Sequence, residues 1–310
     1  MIDYVAFGII LDDIVFPRGV TQMGVLGGGG PQTAWGMAAA LGSGAEVGLV
    51  TGVGTDLDVD ALAPMQAAGV NLDGVRRTDQ PTPRAWQVLE FNGRRTQLWR
   101  VPGPSLGVQL ARNWDVLPPA YRAARHFHWG IHPDDVARDL AFARHLRSLG
   151  KHVSLEPFRS PDAPLSDDDL RALLDACDVF SPNLFEAARI TGRPARSGIV
   201  RRCREMGGRV LALRCGADGA DVWDLPRGEG VRVPAAAPAA VVDEVGAGNA
   251  FCGALLARLD DGIAEAACHA SAAASYLVEQ VGIPAALPDP ADYARRVMEV
   301  RAGMEFLRLE

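Results

Sequence analysis

Paired cysteines, clustered positive charge and aromatic side chains are all scarce in this 310-residue chain. The five cysteines, Cys177, Cys203, Cys215, Cys252 and Cys268, are odd in number, widely spaced and without a C-x-x-C pair. That spacing argues against a disulfide framework or a zinc site and fits a reducing cytoplasm. Aromatics make up 6% of a chain of net charge −7 and pI near 5.4 whose arginines are scattered, so nucleic acid is not an expected partner. No apolar run reaches the roughly twenty residues of a bilayer span. The opening Met1-Ile2-Asp3 has no basic n-region, so neither export nor a membrane partner is expected. Also missing is a spaced G-x-G-x-x-G after a strand, the mark of an α/β oxidoreductase that binds nicotinamide.

Hydrophobic residues make up 48% of the chain, enough for a substantial core. Short apolar runs (YVAFGII, EVGLV, HFHW, HVSL) alternate with amphipathic helical segments at residues 31–42, 57–69 and 134–149. This rhythm predicts an α/β fold, a mainly parallel sheet with helices on both faces. Ser166 and Asp169 form a capping box for a helix ending near Ala176, and a terminal helix starts near Asp289. Two segments, 11–26 and 84–101, break the rhythm and alternate like β-strands. The second carries Asn92-Gly93 at its centre, a hairpin signal. No linker or internal repeat divides the chain, so a single domain over 1–310 is expected.

Chemistry concentrates where glycine precedes a helix. In VVDEVGAGNAFCGALLARL, Gly246, Ala247 and Gly248 let the backbone turn sharply before an alanine-rich helix. The unpaired N–H groups and dipole of such a helix start attract an anion such as phosphate. A second glycine run, GGGGPQTAWGMAAALG, also enters a helix; taken alone it is equally a tight loop before a packed helix. Asp12 and Asp13 follow the first strand, where carboxylates can enter the ligand crevice of an α/β sheet, although single loop aspartates are usually solvated. Asn183 and Glu186 stand three apart at a helix start, which a capped helix with an acidic first turn also explains. Arg214-Cys215-Gly216-Ala217-Asp218-Gly219 closes the apolar strand RVLAL and reads locally as a β-turn.

Together these segments resemble the PfkB, or ribokinase-like, family of small-molecule kinases. The stretch around Gly246 is similar to the family's D-T-x-G-A-G-D signature, with Asp243, Gly246, Ala247 and Gly248 matching. Asn249 stands where the family has its catalytic-base aspartate. The earlier run is similar to G-G-x-x-x-N-x-A, with Gly28, Gly29 and Leu41-Gly42 in place and Thr33 at the substrate-contacting asparagine. Ser181-Pro182-Asn183-Leu184-Phe185-Glu186 resembles P-N-x-x-E, whose members organise magnesium and its waters near the phosphates, so that a carboxylate acts through water. Arg214 to Gly219 resembles the T-x-G-x-x-G nucleotide loop, with arginine replacing threonine.

The resemblance implies a ribokinase-like three-layer α/β/α sandwich with a small β-sheet lid built from segments 11–26 and 84–101, which in relatives often joins a homodimer. It implies ATP and Mg²⁺ as cofactors and a sugar or nucleoside as substrate. Asp13, Gly28, Gly29 and Thr33 would bind the substrate, Arg214, Gly216, Asp218 and Gly219 the nucleotide, and Asn183 and Glu186 the metal. Asp243, Gly246, Ala247, Gly248 and Asn249 would form the catalytic set. Arg214 would pair with ATP phosphates or with Asp243. Glu244 is a local carboxylate for base duty, Glu156-Pro157 stands where many relatives have Asp-Pro-Asn, and Arg84, Trp86, Trp99 and Arg100 alternate on the lid. Thr33 and Asn249 together look most like a divergent branch similar to the fungal maintenance-of-killer proteins. A carboxylate takes a proton from a hydroxyl whereas an amide only hydrogen-bonds to it. Two functions therefore stand side by side: a kinase slowed by its missing base, and a nucleotide- or sugar-binding pseudokinase with a regulatory role.

Overall fold

The computed structural model describes residues 1–9, 11–91, 95–133 and 136–309. The chain opens with β1 (Tyr4–Phe7), β2 (Leu11–Val15), β3 (Gln22–Leu26), α1 (Gly29–Leu41) and β4 (Val47–Val53). It continues through α2 (Ala63–Ala67), β5 (Asn71–Arg77), β6 (Arg84–Leu89), β7 (Arg95–Trp99), α3 (Gly103–Gln109), β8 (His126–Ile131) and α4 (Val136–Ser148). Then come β9 (His152–Pro157), α5 (Asp167–Asp175), β10 (Val179–Phe180), α6 (Leu184–Thr191), α7 (Arg196–Glu205) and β11 (Val210–Arg214). The last third holds β12 (Ala220–Asp224), β13 (Glu229–Val233), α8 (Ala247–Ala257), α9 (Ile263–Leu277), α10 (Pro290–Ala302) and β14 (Glu305–Arg308).

Ten strands form one sheet in the order β14-β13-β12-β11-β10-β9-β8-β1-β4-β5. The seven from β11 to β5 run parallel, and β12, β13 and β14 add antiparallel. Side chains alternate across this sheet into two separate cores. Tyr4 and Ala6 of β1 join α1, α8 and α9 on one side, and Val5 and Phe7 join residues of α4, α5 and α7 on the other. That division is the three-layer sandwich. Ser166 caps α5 by accepting from Asp169 N at 3.1 Å, and Asp289 caps α10, as the capping residues predict. The helical segment expected at 57–69 is shorter, a 3₁₀ turn at Val59–Leu62 leading into the five residues of α2. Pro64 allows the start of α2, and Gly69, at φ 78°, ends the run.

The second sheet, β3-β2-β6-β7, is built from the two segments that broke the rhythm. β6 and β7 pair antiparallel from Ala85↔Trp99 to Leu89↔Arg95. The Asn92-Gly93 turn lies outside the described residues. β2 pairs parallel with β6, which places Asp13 beside Trp86. Among the described residues, no helix is long and apolar enough to cross a membrane.

Candidate active site

The two glycine-led helices dock backbone to backbone. A Cβ on Gly36 would fall 2.2 Å from Ala250 O, and one on Gly253 would fall 2.0 Å from Thr33 O, so only glycine permits this approach of α1 to α8. The consequence is functional, because it brings the starts of both helices to the same edge of the sheet. There the Asn249 amide donates to Gln32 Oε1 at 2.6 Å. Thr33, the residue expected to face substrate, is instead fully buried against α8, and its Oγ1 has no hydrogen-bond partner among the described residues. The signature therefore reads one residue earlier, with Gly27 and Gly28 as its glycine pair, Gln32 at the asparagine position and Ala34 at the alanine. A Cβ on Gly27 would lie 3.2 Å from Gln32 Nε2, and one on Gly246 would lie 2.2 Å from it, so this carboxamide spans the two loops.

Gly246 precedes α8 at φ 93°, and no side chain caps the helix. Asp243, 2% exposed, accepts from Val245 N at 3.0 Å and so shapes the loop. Glu244 is exposed. A Cβ at Gly248 would fall 2.1 Å from Arg214 Nη1, so a guanidinium borders the cradle. An uncapped helix start suits an anion such as phosphate.

Arg214 pairs differently from either expectation. Its Nη1 lies 2.9 Å from Glu156 Oε2, its Nη2 lies 3.7 Å from Glu186 Oε2, and Nη2 donates to Ser181 O at 2.8 Å. Glu156 is 4% exposed. Burial raises its pKa, but Arg214 and His128 outweigh that and hold the carboxyl down at about 2. His128 Nε2 lies 3.4 Å from Glu156 Oε1, and the Cys252 thiol, whose pKa burial raises, donates to Glu156 Oε2 at 3.5 Å. His128, Glu156 and Cys252 have ligand atoms within 4.8 Å of one another, but the guanidinium already supplies the cation this carboxylate needs.

Asn183 and Glu186 form a capping box at α6: Asn183 Oδ1 accepts from Glu186 N at 2.8 Å, and Glu186 Oε2 accepts from Asn183 N at 2.8 Å. Asn183 is committed to the cap and Glu186 lies close to Arg214, which leaves not direct coordination but the expected approach through water to Mg²⁺, an ion that keeps most of its water shell. Gly216 and Gly219, at φ 60° and 82°, close a turn after β11, and Asp218 lies 3.4 Å from Arg196 at the surface. Asn183 bridges to Arg214, so this turn and the α6 start lie side by side.

On the other flank, Asp12 Oδ2 accepts from Gly28 N at 2.7 Å and its Oδ1 from Gln87 Nε2 at 2.8 Å, tying the small sheet to the glycine loop. Asp13 is fully buried. Its Oδ1 accepts from Gly24 N and from Arg84 Nη2, both at 2.7 Å, and its Oδ2 accepts from Arg100 Nη1. Burial raises the Asp13 pKa, and the bonds from Arg84, Gly24 and Arg100 bring it below the usual carboxylate range. Arg100 also stacks over Trp86, 4.8 Å from the ring centroid. Gln32 and the partners of Arg214 and Asp13 are what sequence reading missed. Ala34, two residues after Gln32 as in the G-G-x-x-x-N-x-A spacing, was the available signal for Gln32.

A family model described as pfkB family carbohydrate kinase matches residues 1–290. A cytidine kinase of Thermococcus kodakarensis is 28% identical over 266 residues, covering 84% of this chain and 90% of the relative. A nucleoside kinase of Methanothermobacter thermautotrophicus is 24% identical, covering 82% and 79%. Among solved structures, Arabidopsis thaliana ribokinase complexed with ribose and ATP aligns at TM-score 0.70 and 22% identity, covering 96% of this chain and 98% of that one. Giardia lamblia ribokinase aligns at TM-score 0.75 and 20% identity, covering 96% and 99%.

Proposed function

The chain belongs to the pfkB family of carbohydrate kinases, and on that premise we propose that it transfers the terminal phosphoryl group of ATP to a hydroxyl of a sugar or nucleoside-like molecule. The observation that carries the proposal is the docking of α1 on α8, which sets the uncapped Gly246–Gly248 cradle beside Gln32 and Asn249. Relatives named cytidine kinase and nucleoside kinase, and a ribokinase fold seen with ribose and ATP, support the same reading.

In this account the nucleotide supplies the phosphoryl group, and the protein supplies position and charge. The α8 N–H groups hold the phosphates and stabilise the charge that develops on transfer, while Arg214, paired with Glu156, fixes the wall of the cradle. Gln32 and Asn249 orient the attacking hydroxyl, with the small sheet as the lid over it. In-line positioning and electrostatics provide most of the acceleration in such transfers, and a base adds typically about 10²- to 10⁴-fold. Asn249 accepts a hydrogen bond from the hydroxyl without taking its proton, so turnover is slow but not abolished.

The Asn249 amide favours a second reading, a nucleotide- or sugar-binding protein without turnover. Unpaired cysteines fit a cytoplasmic setting, and Met23, Leu98 and Trp99, 52%, 53% and 38% exposed on the small sheet, favour a homodimer through it. The test is ADP release from ATP against a panel of sugars and nucleosides. Acceptor-stimulated release, lost in Gly248→Trp, supports a kinase; nucleotide binding with no stimulated release supports the second reading.

A further inference from the structure

A row of hydrogen-bonding side chains runs from the small sheet to the cradle at α8. Gln87 Nε2 donates to Asp12 Oδ1 at 2.8 Å, and Asp12 Oδ2 accepts from Gly28 N at 2.7 Å. Asp12 and Gln32 then meet at Gly27, where a Cβ would lie 3.1 Å from Asp12 Oδ2 and 3.2 Å from Gln32 Nε2. Gln32 Oε1 in turn accepts from Asn249, in the first turn of α8, at 2.6 Å. The strand registers keep this row apart from Asp13 and its arginines. Gln87 is paired with Ile14 and Trp86 with Asp13, so Gln87 and Asp13 belong to opposite faces of the small sheet.

One atom of the row has no counterpart. Gln87 is 3% exposed, and its Oε1 is buried without a hydrogen-bond partner among the described residues. Chemistry fixes the orientation of this amide: a carboxylate accepts, so the NH₂ group faces Asp12 and the carbonyl oxygen faces away from it. The strands on either side supply no donor. Ile14 is beside it in β2, and Gln97, directly across in β7, makes no bond to it. Neither packing nor the support of Asp12 calls for this oxygen, since an apolar side chain fills the same space and a lysine supplies the same donor. A buried acceptor without a donor destabilises the fold, and buried polar groups are as a rule bonded.

We infer that Gln87 is a specificity-determining residue: its Oε1 accepts a hydrogen bond from a hydroxyl or N–H group of the acceptor molecule, at the end of the row remote from the hydroxyl that Asn249 orients. The inference rests on the kinase reading of this site and adds a requirement on its substrate, a second donor group besides the attacking hydroxyl.

The test is calorimetric binding to the full chain, with a non-hydrolysable ATP analogue present, of ribose, cytidine and adenosine and of derivatives of each lacking one hydroxyl. Uridine and purine riboside, which lack the amino groups of cytidine and adenosine, complete the set. The expected result is a parent that binds about tenfold or more tightly than one of its derivatives, with that gap reduced to about twofold in Gln87→Met and in Gln87→Lys. Affinity for the ATP analogue should not change. Gln87→Lys keeps a donor towards Asp12 and removes the acceptor, so it separates reading the substrate from holding Asp12. The derivative that loses affinity tells a hydroxyl from an N–H group. Equal binding of parents and derivatives, no binding of any parent, or a gap that survives in either variant overturns the inference; one variant suffices where the other fails to fold. Phosphotransfer with equal binding of parents and derivatives overturns this inference and keeps the kinase reading; a gap that depends on Gln87, without phosphotransfer, does the reverse.

Discussion

Asn249 donates its side-chain amide to Gln32 Oε1 at 2.6 Å, joining the first turns of α8 and α1 across the cradle. A carboxylate at position 249 would accept from Gln32 Nε2 once that amide turned over, and would offer the attacking hydroxyl a base. Asn249→Asp is expected to raise kcat by about 10²-fold with little change in nucleotide affinity. Steady-state kinetics checks this, and an unchanged kcat would show that proton removal does not limit turnover.

Gln32 and Thr33 are predicted to separate cleanly. Gln32→Ala removes the amide that spans both loops and should raise the acceptor KM and lower kcat. Thr33→Val removes a buried hydroxyl without a partner among the described residues and should leave activity intact, with stability unchanged or higher by about 1 kcal/mol. Kinetics and thermal melts on both variants decide it.

The sequence made the backbone of this site legible and left its side-chain partners hidden. Glycine before an alanine-rich helix marks an anion cradle on local grounds, so Gly246–Gly248 was readable. Four consecutive glycines, Gly27 to Gly30, leave the reading frame of the other signature open. Only the face of α1 that meets α8 decides between Gln32 and Thr33, and that face is a tertiary property. Arg214 looked like a phosphate ligand or a partner of Asp243, but its pairing with Glu156 depends on β9, β10 and β11 lying side by side. Asp13 reads in the sequence as a crevice carboxylate, but the fold buries it beneath Arg84 and Arg100, and it is Asp12 that meets the glycine loop. The two arginines of Asp13 became visible only through the parallel pairing of β2 with β6, which local patterning does not specify.

Close approach of the two helices gives a stability prediction. Gly253→Ala puts a methyl 2.0 Å from Thr33 O, and Gly36→Ala puts one 2.2 Å from Ala250 O, so the backbones must part. Each should cost about 1–3 kcal/mol in denaturant unfolding and loosen the Gln32–Asn249 bond, lowering kcat as well. Loss of stability without loss of activity would mean that the docking does not set the site.

Glu156 supplies a pH prediction. Its carboxyl sits near 2 in the fold against an ordinary 4.5, so the unfolded chain binds the proton first as pH falls. The stabilisation is therefore complete above about pH 4.5 and lost as pH drops toward 2. Glu156→Gln leaves Arg214 with Glu186 alone and should cost about 3 kcal/mol at neutral pH. The gap from wild type should close as the solution is acidified. Urea unfolding of both proteins between pH 3 and pH 7 measures it, and a gap independent of pH would contradict the charge pairing.

Whether the phosphoryl group moves is the central question, and ATP labelled with ¹⁸O in its terminal phosphate answers it most directly. With an acceptor that stimulates ADP release, mass spectrometry of the wild-type reaction should show the labelled phosphoryl group on the acceptor hydroxyl. Bound nucleotide with no labelled acceptor, from both the wild type and Asn249→Asp, would contradict the kinase account.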